Sequence, residues 1–153
     1  MPGIEFVVAG YPSGVDAIKP YEQRVKVRRL GHITRHELGQ VMRRCHAHVF
    51  PTLLEGFGRN LIEAMASGLP VITTPNCAGP DLIQDGESGF IVPIRDIDAI
   101  CEKLAWLYDH PQEAREMGHR ARQRILTLTQ ADYRKRFADR IQRFWQAGIG
   151  AAS

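Results

Sequence analysis

Pro51-Thr52-Leu53-Leu54-Glu55-Gly56-Phe57-Gly58-Arg59-Asn60-Leu61-Ile62-Glu63-Ala64-Met65-Ala66-Ser67-Gly68-Leu69-Pro70 is the stretch that decides the fold. It sets a glycine-rich loop directly before a helix, with one glutamate on each side of the turn. The first amides of a helix lack intrahelical partners and lie at the positive end of its dipole, an arrangement that receives anions. Gly56 and Gly58 carry no Cβ, so the backbone here can approach an oxyanion and adopt positive φ. The amides near Asn60 and Leu61 open the helix and point at a phosphate. Ionised carboxylates only accept hydrogen bonds, so Glu55 and Glu63 suit hydroxyls. Both acids beside a diphosphate would repel it. They therefore face its neutral ends, a ribose on one side and a sugar on the other.

Outward from this loop the chain alternates strands and helices. Ala47–Phe50 reads as a strand halted by Pro51, and β-branched Val71–Thr74 as the next, after a helix that stops near Gly68. Upstream, Ile4–Gly10 is a short apolar run closed by glycine, residues 11–23 form a loop, and Val25, Val27 and Leu30 mark a second strand ending at Gly31. Thr34 and Glu37 have capping-box spacing, predicting a helix from Thr34 to about Arg44. Downstream, turns at Asp85-Gly86 and Ser88-Gly89 precede a strand at Phe90–Val92. From Asp96 a helix places Ile97, Ile100, Cys101, Leu104, Leu107 and Tyr108 on one face; His110-Pro111 breaks it, and a second helix runs to about Ile125. Tyr133, Phe137, Ile141, Phe144 and Trp145 mark a third, and 148–153 read as a frayed tail. The fold class is α/β, a Rossmann-like parallel sheet with helices on both faces and helices at the C-terminus, residues 1–147 forming one domain. In such sheets ligands bind beyond the carboxyl ends of the strands, where the loop after Phe50 falls.

Hydrophobic content of 44% and charged content of 24% suit a globular protein. No apolar run reaches the ~18 residues of a membrane span, and no basic start with an apolar core marks a signal peptide. Cys45, Cys77 and Cys101 are odd in number and widely spaced, which suggests neither a disulfide framework nor a zinc site and fits a reducing cytoplasm. None of the six histidines has metal-ligand company. Residues 111–146 carry nine Lys/Arg against four Asp/Glu, the remainder eleven against thirteen. That basic stretch is the solvated face of an amphipathic helix rather than a nucleic-acid surface, and membrane contact at the inner face is at most peripheral.

The segment from Gly31 to Asp96 resembles the C-terminal, donor-binding domain of family-4-type retaining glycosyltransferases, enzymes of the GT-B class with two Rossmann-like domains. Glu55-Gly56-Phe57-Gly58 through Glu63-Ala64-Met65-Ala66 resembles the family signature, Gly68-Leu69-Pro70-Val71-Ile72 its sequel, and Gly86-Glu87-Ser88-Gly89-Phe90-Ile91-Val92-Pro93 its later turn and strand. The resemblance implies a UDP- or GDP-sugar donor, with neither cofactor nor metal. Glu55 would orient the donor sugar near its reacting end, and Glu63 would accept the ribose hydroxyls. Backbone around Gly56, Phe57, Gly58, Asn60 and Leu61 would hold the diphosphate, Ile33 would meet the base, and Gly79 would bring backbone close to the donor. The leaving diphosphate would be stabilised by preorganised donors, with anomeric configuration retained.

The chain departs from the family at Asn76-Cys77-Ala78-Gly79-Pro80-Asp81, where Asp81 replaces a longer glutamate. Cys77 has no activating neighbour in the sequence. Ile4–Gly10 resembles the second strand of the family domain, so the first strand–helix unit, with its Arg and Lys against the diphosphate, and the acceptor-binding N-terminal domain are expected to be missing. In the order 3-2-1-4-5-6 that first strand is central, so strands 2 and 4 either pair directly or take a partner from another chain by self-association or swapping. The chain alone is then expected to bind donor weakly and not to transfer sugar. A non-catalytic binding or assembly module that completes a partner chain is the alternative. A nucleotide-sugar epimerase fits the glutamate pair poorly. A dinucleotide oxidoreductase fits worse, because no Gly-x-Gly-x-x-Gly follows the first strand.

Overall fold

A computed structural model describes residues 3–10, 19–20, 22–128, 138–139, 142–143 and 146. The expected stripe of Tyr133, Phe137, Ile141, Phe144 and Trp145, the tail 148–153 and most of the 11–23 loop lie outside the described residues. The elements are β1 (Glu5–Ala9), β2 (Lys26–Gly31), α1 (Arg35–Met42), β3 (His48–Phe50), α2 (Arg59–Ala66), β4 (Val71–Thr73), α3 (Gly79–Leu82), β5 (Phe90–Ile91), α4 (Ile97–Asp109) and α5 (Pro111–Leu126).

All strand pairs are parallel. β1 pairs with β2, while β3, β4 and β5 form a second sheet in that order. Among the described residues β1 and β3 are not hydrogen-bonded neighbours, so direct pairing across the expected gap does not occur. Successive residues of β4 face opposite sides of their sheet. Val71 packs with Met42, Leu61, Ala64, Met65 and Ala121 from α1, α2 and α5. Ile72 packs with Phe90, Val92, Leu107, Ala114 and Met117, drawing on α4 and α5. Helices therefore cover both faces of β4, which is why its three residues are buried without alternation.

Local chemistry sets the ends of the helices. The Glu37 amide donates to Thr34 Oγ1 (3.3 Å) and the Thr34 amide to Glu37 Oε2 (2.7 Å), completing the capping box before α1. α2 ends in a Schellman motif: the Gly68 amide donates to Met65 O (2.9 Å) and the Leu69 amide to Ala64 O (3.1 Å), with Gly68 at φ 83°. Gly118 of α5 sits so close to that turn that a Cβ would run into the Gly68 carbonyl. The packing of α2 on α5 depends on this glycine.

Two expectations need correction. Ile97 and Tyr108 are 71% and 44% exposed and Cys101 is exposed too, so the buried face of α4 is narrower than the apolar stripe. The Trp106 ring explains the turn of the face: it meets Phe90 edge-on (5.4 Å between centroids) and stacks on His110 (4.8 Å), drawing α4 toward that side. The second concerns α3, which has no counterpart in the expected pattern. Its last carbonyls are held from outside, Arg124 Nε donating to Leu82 O (2.6 Å) and Nη2 to Asp81 O (3.3 Å). No helix among the described residues is long and apolar enough to cross a membrane.

Candidate functional site

α2 starts on Gly58, whose φ of 82° lies in the left-handed region. A Cβ there would stand 3.0 Å from Phe50 Cε1, so both conformation and space call for glycine. With glycine as its cap, α2 has no side-chain cap bond, and its first turn holds no acid. α1 and α4 are built otherwise: Thr34 and Asp96 cap them, with Glu37 and Asp98 in their first turns. Neither a side-chain cap nor a first-turn acid offsets the positive end of α2.

The loop ahead of α2 is laced to the loop after β4. Thr73 Oγ1 donates to Phe50 O (3.0 Å), Thr74 Oγ1 to Thr52 O (2.5 Å) and Asn76 Nδ2 to Leu53 O (2.8 Å). The Ala78 amide donates the same way, to Phe57 O (3.2 Å), and in the other direction the Glu55 amide donates to Asn76 O (3.0 Å). Thr73 and Thr74 are buried, so these bonds also satisfy hydroxyls that would otherwise be costly. The site stands at the carboxyl ends of β3 and β4, on a loop held at five points.

Each acid has a partner inside the chain. Glu55 is exposed and its Oε1 accepts from the Gly56 amide (3.0 Å). The Glu63 side chain is 26% exposed, and its Oε1 accepts from Arg35 Nε (3.0 Å) and Nη2 (2.7 Å). Phe57 is half-exposed, Gly58 is buried and Asn60 is half-buried. Leu61 is fully buried and its amide donates to Gly58 O (3.0 Å), so it closes the first turn instead of pointing outward as expected. Gly79 is buried at the start of α3, where a Cβ would meet Thr73 Cγ2 at 2.8 Å. Ile33 is half-buried between β2 and α1, and the Arg35–Glu63 pair ties that loop to α2.

Asp81 stands exposed on α3. The Cys77 thiol lies 3.3 Å from the Thr74 carbonyl and accepts from the Gly79 amide at 3.3 Å, a role in shaping the turn. Among the described residues no three His, Cys, Asp or Glu side chains are grouped as a metal would require. Arg35 and Asn76 are the site residues that the sequence pattern did not mark. Their partners lie 28 and 23 residues away, beyond the reach of any local spacing rule.

The profile of the family Glycosyl transferases group 1 matches residues 2–124. The chain belongs to this family. Its parallel α/β fold is that of the GT-B glycosyltransferases. The chain is 44% identical over 77 residues to the capsular polysaccharide biosynthesis glycosyltransferase CapM of Staphylococcus aureus, covering 50% of this chain and 20% of CapM. Among solved structures, TarM of S. aureus superposes with a TM-score of 0.79 at 24% identity, over 90% of this chain and 28% of TarM. HepE of Anabaena, solved in complex with UDP-glucose, gives a TM-score of 0.71 at 21% identity over 90% of this chain and 42% of HepE. The chain spans between a fifth and just over a quarter of the first curated relatives it matches.

Proposed function

We propose that this glycosyltransferase chain is the donor-binding half of a retaining enzyme that transfers a hexose-type sugar from a UDP- or GDP-sugar to a saccharide or lipid-linked acceptor. The observation that carries the reading is the uncapped, acid-free N-terminus of α2 between Glu55 and Glu63. A diphosphate at that end gains from the helix dipole and from amides that need no reorganisation as charge builds on the leaving group. Glu55 takes hydroxyls of the transferred sugar and orients its anomeric carbon, and Glu63 takes those of the ribose. Ile33 meets the base, and Gly79 lets the chain pass close to the donor. During transfer the anomeric C–O bond to the diphosphate breaks and a bond to the acceptor oxygen forms on the same face. The acceptor's proton leaves with the departing phosphate oxygen.

Binding of UDP and UDP-glucose by HepE, which shares the fold, supports this donor class. Transfer is assigned to the enzyme with an acceptor-binding domain, since the chain spans only part of its relatives, and weak donor binding to the chain alone. Saturation-transfer NMR against UDP-, GDP- and ADP-sugars tests the reading. Native chain should show contact to one nucleotide sugar, and Glu63→Ala should weaken it about tenfold or more, the worth of a hydrogen bond to a charged group. Unchanged binding in Glu63→Ala would remove the ribose assignment.

A further inference from the structure

Glu63 does not stand alone in the site. Arg35 is the first residue of α1, and the Thr34–Glu37 capping box fixes where its backbone begins. From there the side chain crosses to α2 and places Nε and Nη2 on the same oxygen, Glu63 Oε1, at 3.0 and 2.7 Å. A carboxylate offers about four acceptor positions, two on each oxygen. Arg35 uses both on Oε1, and among the described residues Oε2 has no hydrogen-bond partner. The two positions left on Oε2 match the two hydroxyl donors of a ribose cis-diol. The Arg35 side chain is 73% exposed, so the pair adds little to stability, and its value lies in orientation.

We infer that Arg35 is a positioning residue of the donor site, one that holds the Glu63 carboxylate by Oε1 so that Oε2 receives the ribose. The inference rests on the donor reading above. Its consequence is that discrimination between ribose and deoxyribose depends on a residue that does not itself touch the sugar. Lysine can replace the charge but not the paired N–H geometry, so Arg35→Lys should hold the carboxylate less firmly than arginine does.

The test measures dissociation constants of UDP and 2′-deoxy-UDP for the native chain, Arg35→Ala and Arg35→Lys, alongside the side-chain couplings of Glu63 by NMR. The native chain should prefer UDP by about tenfold, the factor expected for one hydroxyl bonded to a charged acceptor. In Arg35→Ala the preference should fall to about twofold or less, with Arg35→Lys between. The melting temperature should move by no more than about 2 °C, as for an exposed ion pair. Glu63 should occupy one rotamer in the native chain and several in Arg35→Ala. An unchanged nucleotide preference in Arg35→Ala, or a Glu63 rotamer that does not need Arg35, overturns the role of Arg35 while leaving the donor site standing. If the native chain binds neither UDP nor GDP measured in the same way, the donor reading fails, and the ribose part of this inference fails with it.

Discussion

The two glutamates flanking the glycine loop have the same chemistry but different surroundings. Glu55 is exposed and folded onto the amide of its own neighbour, whereas Glu63 is half-buried and held by a guanidinium from another helix. The first is held only by its own neighbour; the second is fixed from another helix. Their spacing and residue type are visible in the sequence, and so is the glycine that α2 needs at φ 82°. Arg35 is not visible, because an ion pair across 28 residues leaves no periodic trace. His48 is a further residue that only packing defines. Its Nε2 is buried with no hydrogen-bond partner among the described residues, and burial holds its pKa below the ordinary value near 6.5. Below that value the unfolded chain takes up a proton that the folded chain refuses, so stability falls as pH drops from 6.5 toward the folded pKa. The loss is at most about 1.4 kcal/mol per pH unit. Urea titrations at pH 7 and pH 5 should show a smaller difference for His48→Phe than for the native chain.

At the scale of elements, features with local partners were legible. The capping box before α1 and the glycine after α2 each join residues a few positions apart, and both form as their spacing predicts. Thr34→Ala removes the acceptor for the Glu37 amide and should cost about 1 kcal/mol. A lower midpoint in chemical denaturation with an unchanged slope is the expected result. The Glu37 carboxyl, held below its ordinary pKa mainly by the Thr34 amide and then by the Thr34 hydroxyl, should titrate nearer the ordinary value in that variant. Contacts between elements escaped the pattern. Gly118 reads as a weak point in a helix, yet α5 reaches the turn after α2 only because no side chain stands there. Gly118→Ala should destabilise by about 1–3 kcal/mol, the usual cost of overpacking against backbone that cannot yield. A melting temperature equal to the native one would show that α5 packs elsewhere. The stripe on α4 misled for a related reason: apolar spacing marks an amphipathic helix, while the bulk of Trp106 against Phe90 decides which side turns inward.

Across the molecule, parallel strands joined by helices put the ends of β3 and β4 at one edge, and the two loops there are bonded into a single platform. The α/β class followed from the alternation of short apolar runs with capped helices. The loss of a central strand was legible too, but whether β1 and β3 then pair directly or stay apart was not, since pairing between distant strands is a property of the whole sheet. The platform gives the candidate site its rigidity, and α2 gives it a positive end. The most direct test is amide chemical-shift mapping of the chain titrated with UDP-glucose and GDP-mannose. Binding at the platform predicts shifts concentrated at residues 55–63 and 76–79, needing about tenfold more of the preferred nucleotide sugar in Glu63→Ala. Shifts centred on α5 or on β1–β2, with residues 55–63 unmoved, would contradict a donor site at this loop.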